Sequence, residues 1–259
     1  MVLHDSSAHD EQSVRALYED LAVAETYIRQ RFGHAWGQVL HRRQAAEINR
    51  VIEETKPENI LEIAPGPARL ATELKGVRRG LMIDNSAPMV ALAKRRLQEA
   101  GRAHLWEVKQ GNAFELEKLR RRFNFLFTFR FIRHFREQDR TRLYSAIGAC
   151  LDPGGLLMFD VVNKTVRDKL NARQPQKDPG ELDVYDVTYS ADSFRREMGE
   201  HGFKVIRLVP VIQYFSVQSW ISYRLGHRLP KLSSALVRWL EMIPSQEPLE
   251  WIALCQKVG

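Results

Sequence analysis

The sequence predicts an α/β fold built on a doubly wound, mostly parallel sheet, and three observations carry that prediction. Short apolar runs alternate with helical segments from residue 57 to residue 162, the order that builds βαβ units. The first run, Ile60-Leu61-Glu62-Ile63, passes directly into Ala64-Pro65-Gly66-Pro67-Ala68, a turn of small residues that lets a ligand approach the backbone. The second run, Gly80-Leu81-Met82-Ile83, ends in Asp84, eighteen residues after Gly66. That is close to the roughly 20-residue spacing of an acidic partner for a ribose hydroxyl pair. Right-handed crossovers then gather the carboxyl ends of the strands on one edge, where ligands bind.

Each element has its own signal. Residues 11 to 54 carry Val14, Leu17, Tyr18 and Leu21, then Ala45, Ile48, Val51 and Ile52, at helical spacing. Gly33 and Gly37 interrupt them, so two or three helices are expected before Pro57. A strand at 59 to 63, a helix at 68 to 75 and a strand at 80 to 84 follow. Ser86 is placed to cap a helix over 87 to 100, which Gly101 closes. Strands are predicted at 105 to 109 and 123 to 129. A helix at 138 to 151 shows Leu143, Ile147 and Leu151 on one face, and a turn at Asp152-Pro153-Gly154-Gly155 opens a fifth strand over 155 to 162. Residues 163 to 186 are polar, contain Pro175, Pro179 and Gly180, and read as an irregular excursion. A helix at 191 to 201, a strand at 204 to 215, a helical insert at 217 to 242 and a strand at 250 to 257 complete the chain, which has no internal repeat.

Composition sets bounds. A chain of 259 residues with 44% hydrophobic content suits one domain with elaborations, or a core plus a small lid. No run of ~18 apolar residues occurs, and Met-Val-Leu-His-Asp-Ser-Ser lacks the basic and apolar segments of a secretory signal, so a soluble, cytoplasmic protein is expected. Cys150 and Cys255 stand far apart with no metal-ligand spacing and read as buried free thiols. The net charge of +7 is locally concentrated: nine Lys or Arg lie between Lys118 and Arg142. Such a run reads as a solvated helix face and loop rather than a track for nucleic acid.

The turn also selects its ligand. Against the dinucleotide fingerprint it fails at the third glycine, where Arg69 stands, so a diphosphate is disfavoured. Glu62-Ile63-Ala64-Pro65-Gly66-Pro67-Ala68 instead resembles the first motif of class I S-adenosylmethionine-dependent methyltransferases. Met82-Ile83-Asp84-Asn85-Ser86-Ala87-Pro88-Met89-Val90-Ala91-Leu92-Ala93 is similar to that family's second motif. The resemblance covers roughly residues 57 to 162. It implies a Rossmann-like sheet of seven strands with the last strand antiparallel, preceded by an N-terminal helical cap (1–56) and carrying a helical lid within the 57–259 domain.

It also implies roles. Asp84 should take the ribose hydroxyls, with Asn85 and Ser86 beside it, and Met89 should pack near the adenine. Glu62, Ala64, Pro65 and Gly66 should line the methionine end. Gln110-Gly111-Asn112-Ala113 lies where the family commonly has an acidic residue for the adenine amino group. Asn112 can accept there without charge assistance, with Ala113 alongside. Methyl transfer is an in-line displacement whose leaving group is a neutral thioether, so alignment is the main task. Only an acceptor bearing a proton also needs a base. His134, in Thr128-Phe129-Arg130-Phe131-Ile132-Arg133-His134-Phe135, is the candidate, against a purely structural role. Arg130 is a candidate cofactor or substrate contact, and Tyr18 and Tyr27 could cover the cofactor.

Missing features narrow the acceptor. No Asp/Asn-Pro-Pro-aromatic segment for a planar nitrogen follows the fourth strand, and neither cysteine suits a covalent pyrimidine mechanism. Asp160 and Asn163 have no acidic partner there, so no metal is expected. The expectation is an enzyme methylating an O, N or C centre of a small molecule: quinone-like, a glycolipid sugar or a natural product. An RNA methyltransferase and a catalytically silent cofactor-binding partner are the alternatives. Within the insert, Trp220, Tyr223, Leu232 and Trp239 beside Arg224, Arg228 and Lys231 suit either a lid or a peripheral membrane or lipid-like contact. Oligomeric state is left open.

Overall fold

The computed structural model describes residues 32–173 and 186–259. Its strands are β1 (Ile60–Ile63), β2 (Gly80–Asp84), β3 (Trp106–Gln110), β4 (Phe123–Thr128), β5 (Leu151–Asn163), β6 (Thr188–Tyr189), β7 (Phe203–Val211) and β8 (Glu250–Lys257). They form one sheet in the order β3-β2-β1-β4-β5-β8-β7, with the two-residue β6 attached to β5. β1 to β5 pair in parallel, and β8 lies antiparallel between β5 and β7. The chain therefore winds outward in both directions from the β1/β4 boundary, and that reversal opens a crevice at the carboxyl edge.

The helices are α1 (Ala35–Thr55), α2 (Ala87–Glu99), α3 (Glu137–Cys150), α4 (Lys164–Arg173), α5 (Ala191–Glu200), α6 (Phe215–Leu225) and α7 (Pro230–Glu241). Alternation along the buried strands feeds two cores. Met82, Phe125 and Phe127 face a cluster closed by Ile48, Val51 and Ile52 of α1 and by Val90, Ala93 and Leu97 of α2. Leu81, Ile83 and Leu126 face the other, closed by Leu143 and Ile147 of α3 and by Phe194 and Met198 of α5. Side chains of this size contribute roughly 1.5–3 kcal/mol each when fully buried, and period-two alternation fixes which face each one serves. One glycine is sterically required here: a Cβ on Gly80 would stand 2.2 Å from the Trp106 ring.

Most predicted elements form within one or two residues. Ser86 caps α2 by accepting from Met89 N, and Gly101 follows it with φ +67°. Four expectations need correction. Residues 68 to 75 make turns rather than a helix, because Ala68 has φ +52° and breaks the right-handed run at its start. α1 runs unbroken through Gly37, beginning at His34, whose ring accepts from Gly37 N at 3.0 Å. The polar stretch after β5 contains α4, whose first turn is anchored by Asn163 Oδ1 accepting from Thr165 N at 3.0 Å. The insert is two helices, and the strand before it stops at Val211 because Ile212 turns left-handed at φ +57°. Residues 11 to 31 of the expected N-terminal helices, and residues 174 to 185, lie outside the described residues.

Candidate active site

A cleft of about 1030 Å³, open mouth included, lies at the carboxyl edge over the β1/β4 reversal. β1 and its turn supply Glu62, Ala64, Pro65 and Gly66. The β2 end supplies Asp84, Asn85 and Ser86, α2 supplies Met89, and the β3 end supplies Asn112 and Ala113. Arg130 comes from beyond β4. The structure thus brings eleven of the twelve expected site residues into one wall. Arg69, Leu70, Ile83, Gly111, Phe114, Phe129, Phe131 and Phe135 join them, and these the sequence reading missed as site residues.

The need for small residues in the turn has a conformational cause. Ala64, Gly66 and Ala68 all hold positive φ, at 49°, 53° and 52°. Gly66 adopts this region without a Cβ penalty, whereas Ala64 and Ala68 carry strain that a β-branched side chain would increase. The turn is pinned to β2, because Gly66 N donates to Asp84 Oδ2 at 2.9 Å. Ser86 N donates to Asp84 Oδ1, also at 2.9 Å. Asn85 N–H also bonds this carboxylate, so three backbone donors hold Asp84 and part of its acceptor capacity is left toward the cleft. Burial pushes the Asp84 carboxyl up from its ordinary range, against the opposing pull of those backbone N–H groups.

Glu62 differs. It is 3% exposed, and its Oε2 has no hydrogen-bond partner among the described residues. Burial pushes its carboxyl up to about 8, with the Arg69 charge pulling down and the Asp84 charge pushing up. Arg69 does not pair with it. Its guanidinium meets His41, donates to Gln44 Oε1 at 2.7 Å and lies 3.9 Å over the Phe32 ring. Glu62 is thus a buried carboxyl facing the cleft, whose ionised form an entering cation would favour.

Asn112 caps the 3-10 segment Ala113–Leu119 through its amide oxygen, which accepts from Phe114 N at 2.9 Å. The oxygen expected to serve an adenine amino group is thus shared with the backbone. Past β4, Arg130 takes φ +58°, and its N–H donates to Asp160 Oδ1 at 2.6 Å. The buried Asp160 carboxylate holds this strained residue at the rim. Beyond it Phe131 and Phe135 meet edge to face at 4.9 Å, as do Phe114 and Phe135 at 5.2 Å.

His134 is the exception. It is 2% exposed, does not line the cleft, and faces Asp186 with Nδ1 3.1 Å from Oδ1. The expectation of a rim position is corrected: the 3-10 turn Ile132–His134 points all three of its side chains inward. Arg133 is buried beside it and donates to Asp186, Asp160 and Glu250 at 2.7–2.8 Å. Burial opposes the Asp186 charge, but Arg133 and His134 outweigh it and hold that carboxyl well below the usual range. Asp160 and Asn163 are thereby spent on structure, Asn163 donating to Pro248 O at 2.9 Å. Tyr18 and Tyr27 lie outside the described residues.

The basic run is not a uniform solvated face. Arg133 and Arg140 are buried, the latter against Glu197 at 2.8 Å, while Lys118, Arg121 and Arg142 pair with Glu115, Glu107 and Asp139. Cys150 and Cys255 are buried free thiols, and burial pushes Cys150 up to about 12. No described helix is long and apolar enough to cross a membrane.

Residues 60–155 match the protein family described as a methyltransferase domain. No curated protein matches the chain. Among solved structures it is similar to magnesium protoporphyrin IX methyltransferase from Synechocystis PCC 6803 with bound SAH. The TM-score is 0.64 and the identity 12%, over 96% of this chain and 100% of that one. The [4+2]-cyclase SpnF aligns with TM-score 0.65 and 18% identity, over 97% and 98%. The mitomycin 7-O-methyltransferase MmcR aligns with 0.59 and 14%, over 95% of this chain and 60% of that protein's length. At these identities the structural likeness shows the fold. The sheet is thus Rossmann-like, and residues 60–155 within it match a methyltransferase domain.

Proposed function

We propose that this chain, carrying a class I methyltransferase domain, transfers the methyl group of S-adenosylmethionine to a small-molecule acceptor. The observation that carries the reading is the pairing of two different carboxylates in one cleft. Asp84 is held by backbone N–H groups and keeps part of its acceptor capacity, and Glu62 is buried with its Oε2 unpartnered among the described residues. A ribose diol fits the first and the α-ammonium of a methionine moiety fits the second. Ala64, Pro65 and Gly66 would line that moiety. Met89 and Ala113 would flank the adenine, with Asn112 at its edge, and Asn85 and Ser86 would shape the loop at the ribose.

When bound, the cofactor supplies a methyl group on a sulfonium, an electrophile that leaves a neutral thioether. The chain's task is then alignment and exclusion of water. Phe129, Phe131 and Phe135 make an apolar, aromatic wall past the β4 end, which favours a flat or apolar acceptor, quinone-like or natural product, over a sugar. His134 acts as a positioning residue through Asp186 rather than as a base, and Arg130, held by Asp160, faces the acceptor side. Pairing and burial within the basic run speak against that run as an RNA track, and the overall charge of +7 is the feature left for an RNA acceptor.

The test is transfer of labelled methyl from the cofactor into fractionated cell extract. Label in the small-molecule fraction is expected. Label confined to RNA, or none despite tight cofactor binding, would refute this reading, the latter in favour of a silent partner protein.

A further inference from the structure

The pair α6 and α7 sits on α1 through a small core of its own, with Ala35 and Val39 against Ile221 and Val237. Trp36 N donates to Ser222 Oγ at 3.2 Å and Ser233 Oγ to Ile221 O at 3.3 Å, which orients both helices. Their opposite sides are left outward. On α6 these carry Val217, Trp220 and Arg224, at i, i+3 and i+7, and on α7 Leu232, Ala235 and Trp239, at i, i+3 and i+7, with Met242 at its C-cap. Trp220 and Trp239 are each 59% exposed and Met242 is 79% exposed. Large apolar side chains gathered on two neighbouring helices mark an interaction surface.

Charge selects the partner. From Phe215 to Leu240 there are four Lys or Arg (Arg224, Arg228, Lys231 and Arg238) and no Asp or Glu. The next acid, Glu241, turns inward and accepts from Ile212 N at 3.0 Å and Gln213 N at 3.1 Å, holding the strained Ile212. Tryptophans and leucines flanked by cations, on helices too short to span, are the pattern of an interfacial contact with anionic lipid. A second protein copy would bring a like-charged face against this one, and an RNA would leave Leu232 and Met242 without a partner. We propose that the outward face of α6 and α7 docks on an anionic bilayer surface. The proposal uses no feature of the cleft, so its failure would leave the methyl-transfer reading standing.

The test is sedimentation of the full chain with phosphatidylcholine vesicles containing about one quarter phosphatidylglycerol, against pure phosphatidylcholine. Partition onto the anionic vesicles is expected, with a blue shift in tryptophan emission. Arg224→Gln with Arg228→Gln and Lys231→Gln should weaken it roughly 100-fold, at about a kcal/mol per cation. Trp220→Ser with Trp239→Ser should weaken it roughly tenfold or more. Cofactor titration and thermal melting of each variant check that the fold survives, and the two variants fail independently. The proposal is overturned if the chain ignores anionic vesicles or if both variants partition as the parent does. It is equally overturned by a solution oligomer that the tryptophan changes dissociate, or by an RNA homopolymer held more tightly than vesicles.

Discussion

Glu62→Gln isolates the most unusual group in the cleft. The Glu62 carboxyl is pushed from an ordinary 4.5 to about 8 by burial, so the folded chain prefers it neutral. A folded-state pKa raised above the unfolded one gives stability that is complete below about pH 4.5 and lost as pH rises through 8. Each pKa unit is worth about 1.4 kcal/mol, so the shift caps the loss at roughly 5 kcal/mol. Gln cannot ionise and removes that slope. Urea denaturation from pH 5 to pH 9 should show the two chains equally stable at the acid end. The variant should gain on the parent by about a kcal/mol per pH unit toward pH 8. Parallel profiles would mean that Glu62 is not held neutral, and the argument for an awaited cation would fail with them. A second readout follows: a cationic ligand at Glu62 should expel its proton near pH 7. Calorimetry in buffers of different ionisation enthalpy would detect that release for the parent and not for Glu62→Gln.

Asp160→Ala removes the acceptor of Arg130 N and one of the three carboxylates around Arg133. The cost should be about 2–4 kcal/mol, seen as a Tm lower by roughly 5–15 °C, and a change within about a degree would contradict the rim being held this way. His134→Gln should leave the shape of the pH–rate profile unchanged even if the Tm falls; loss of a single basic limb would restore a base role. Asn112→Asp keeps an oxygen for Phe114 N and adds charge assistance at the adenine edge. It should tighten cofactor binding roughly three- to tenfold, and titration showing no gain would remove Asn112 from the site.

What was legible in the sequence is local. The buried run Ile60–Ile63, the small-residue turn and Asp84 announce themselves within a few residues, because strand, turn and cap preferences act over that range. Ser86 as a cap is legible for the same reason. The helix expected at 68 to 75 failed because its residue types suit a helix while the left-handed Ala68 is imposed by the turn's approach to β2. His134 was misplaced because its surroundings come from afar: Asp186 follows by fifty-two residues, and Glu250 lies 117 from Arg133. No spacing rule links such charges. Arg69 was read only as a misfit for glycine, whereas its partner Gln44 lies on a helix preceding the sheet. The aromatic wall was in view as Phe129, Phe131 and Phe135, but only the fold shows that these three face the cleft.

The central claim is that this cleft holds S-adenosylmethionine by its two carboxylates, and calorimetric titration with the cofactor and its demethylated product tests it most directly. Saturable binding of both is expected, weakened roughly 100-fold or more by Asp84→Ala, which would delete the proposed charge-assisted hydrogen bonds to the ribose. Absence of binding by either ligand, or binding that Asp84→Ala leaves unchanged, would contradict the account.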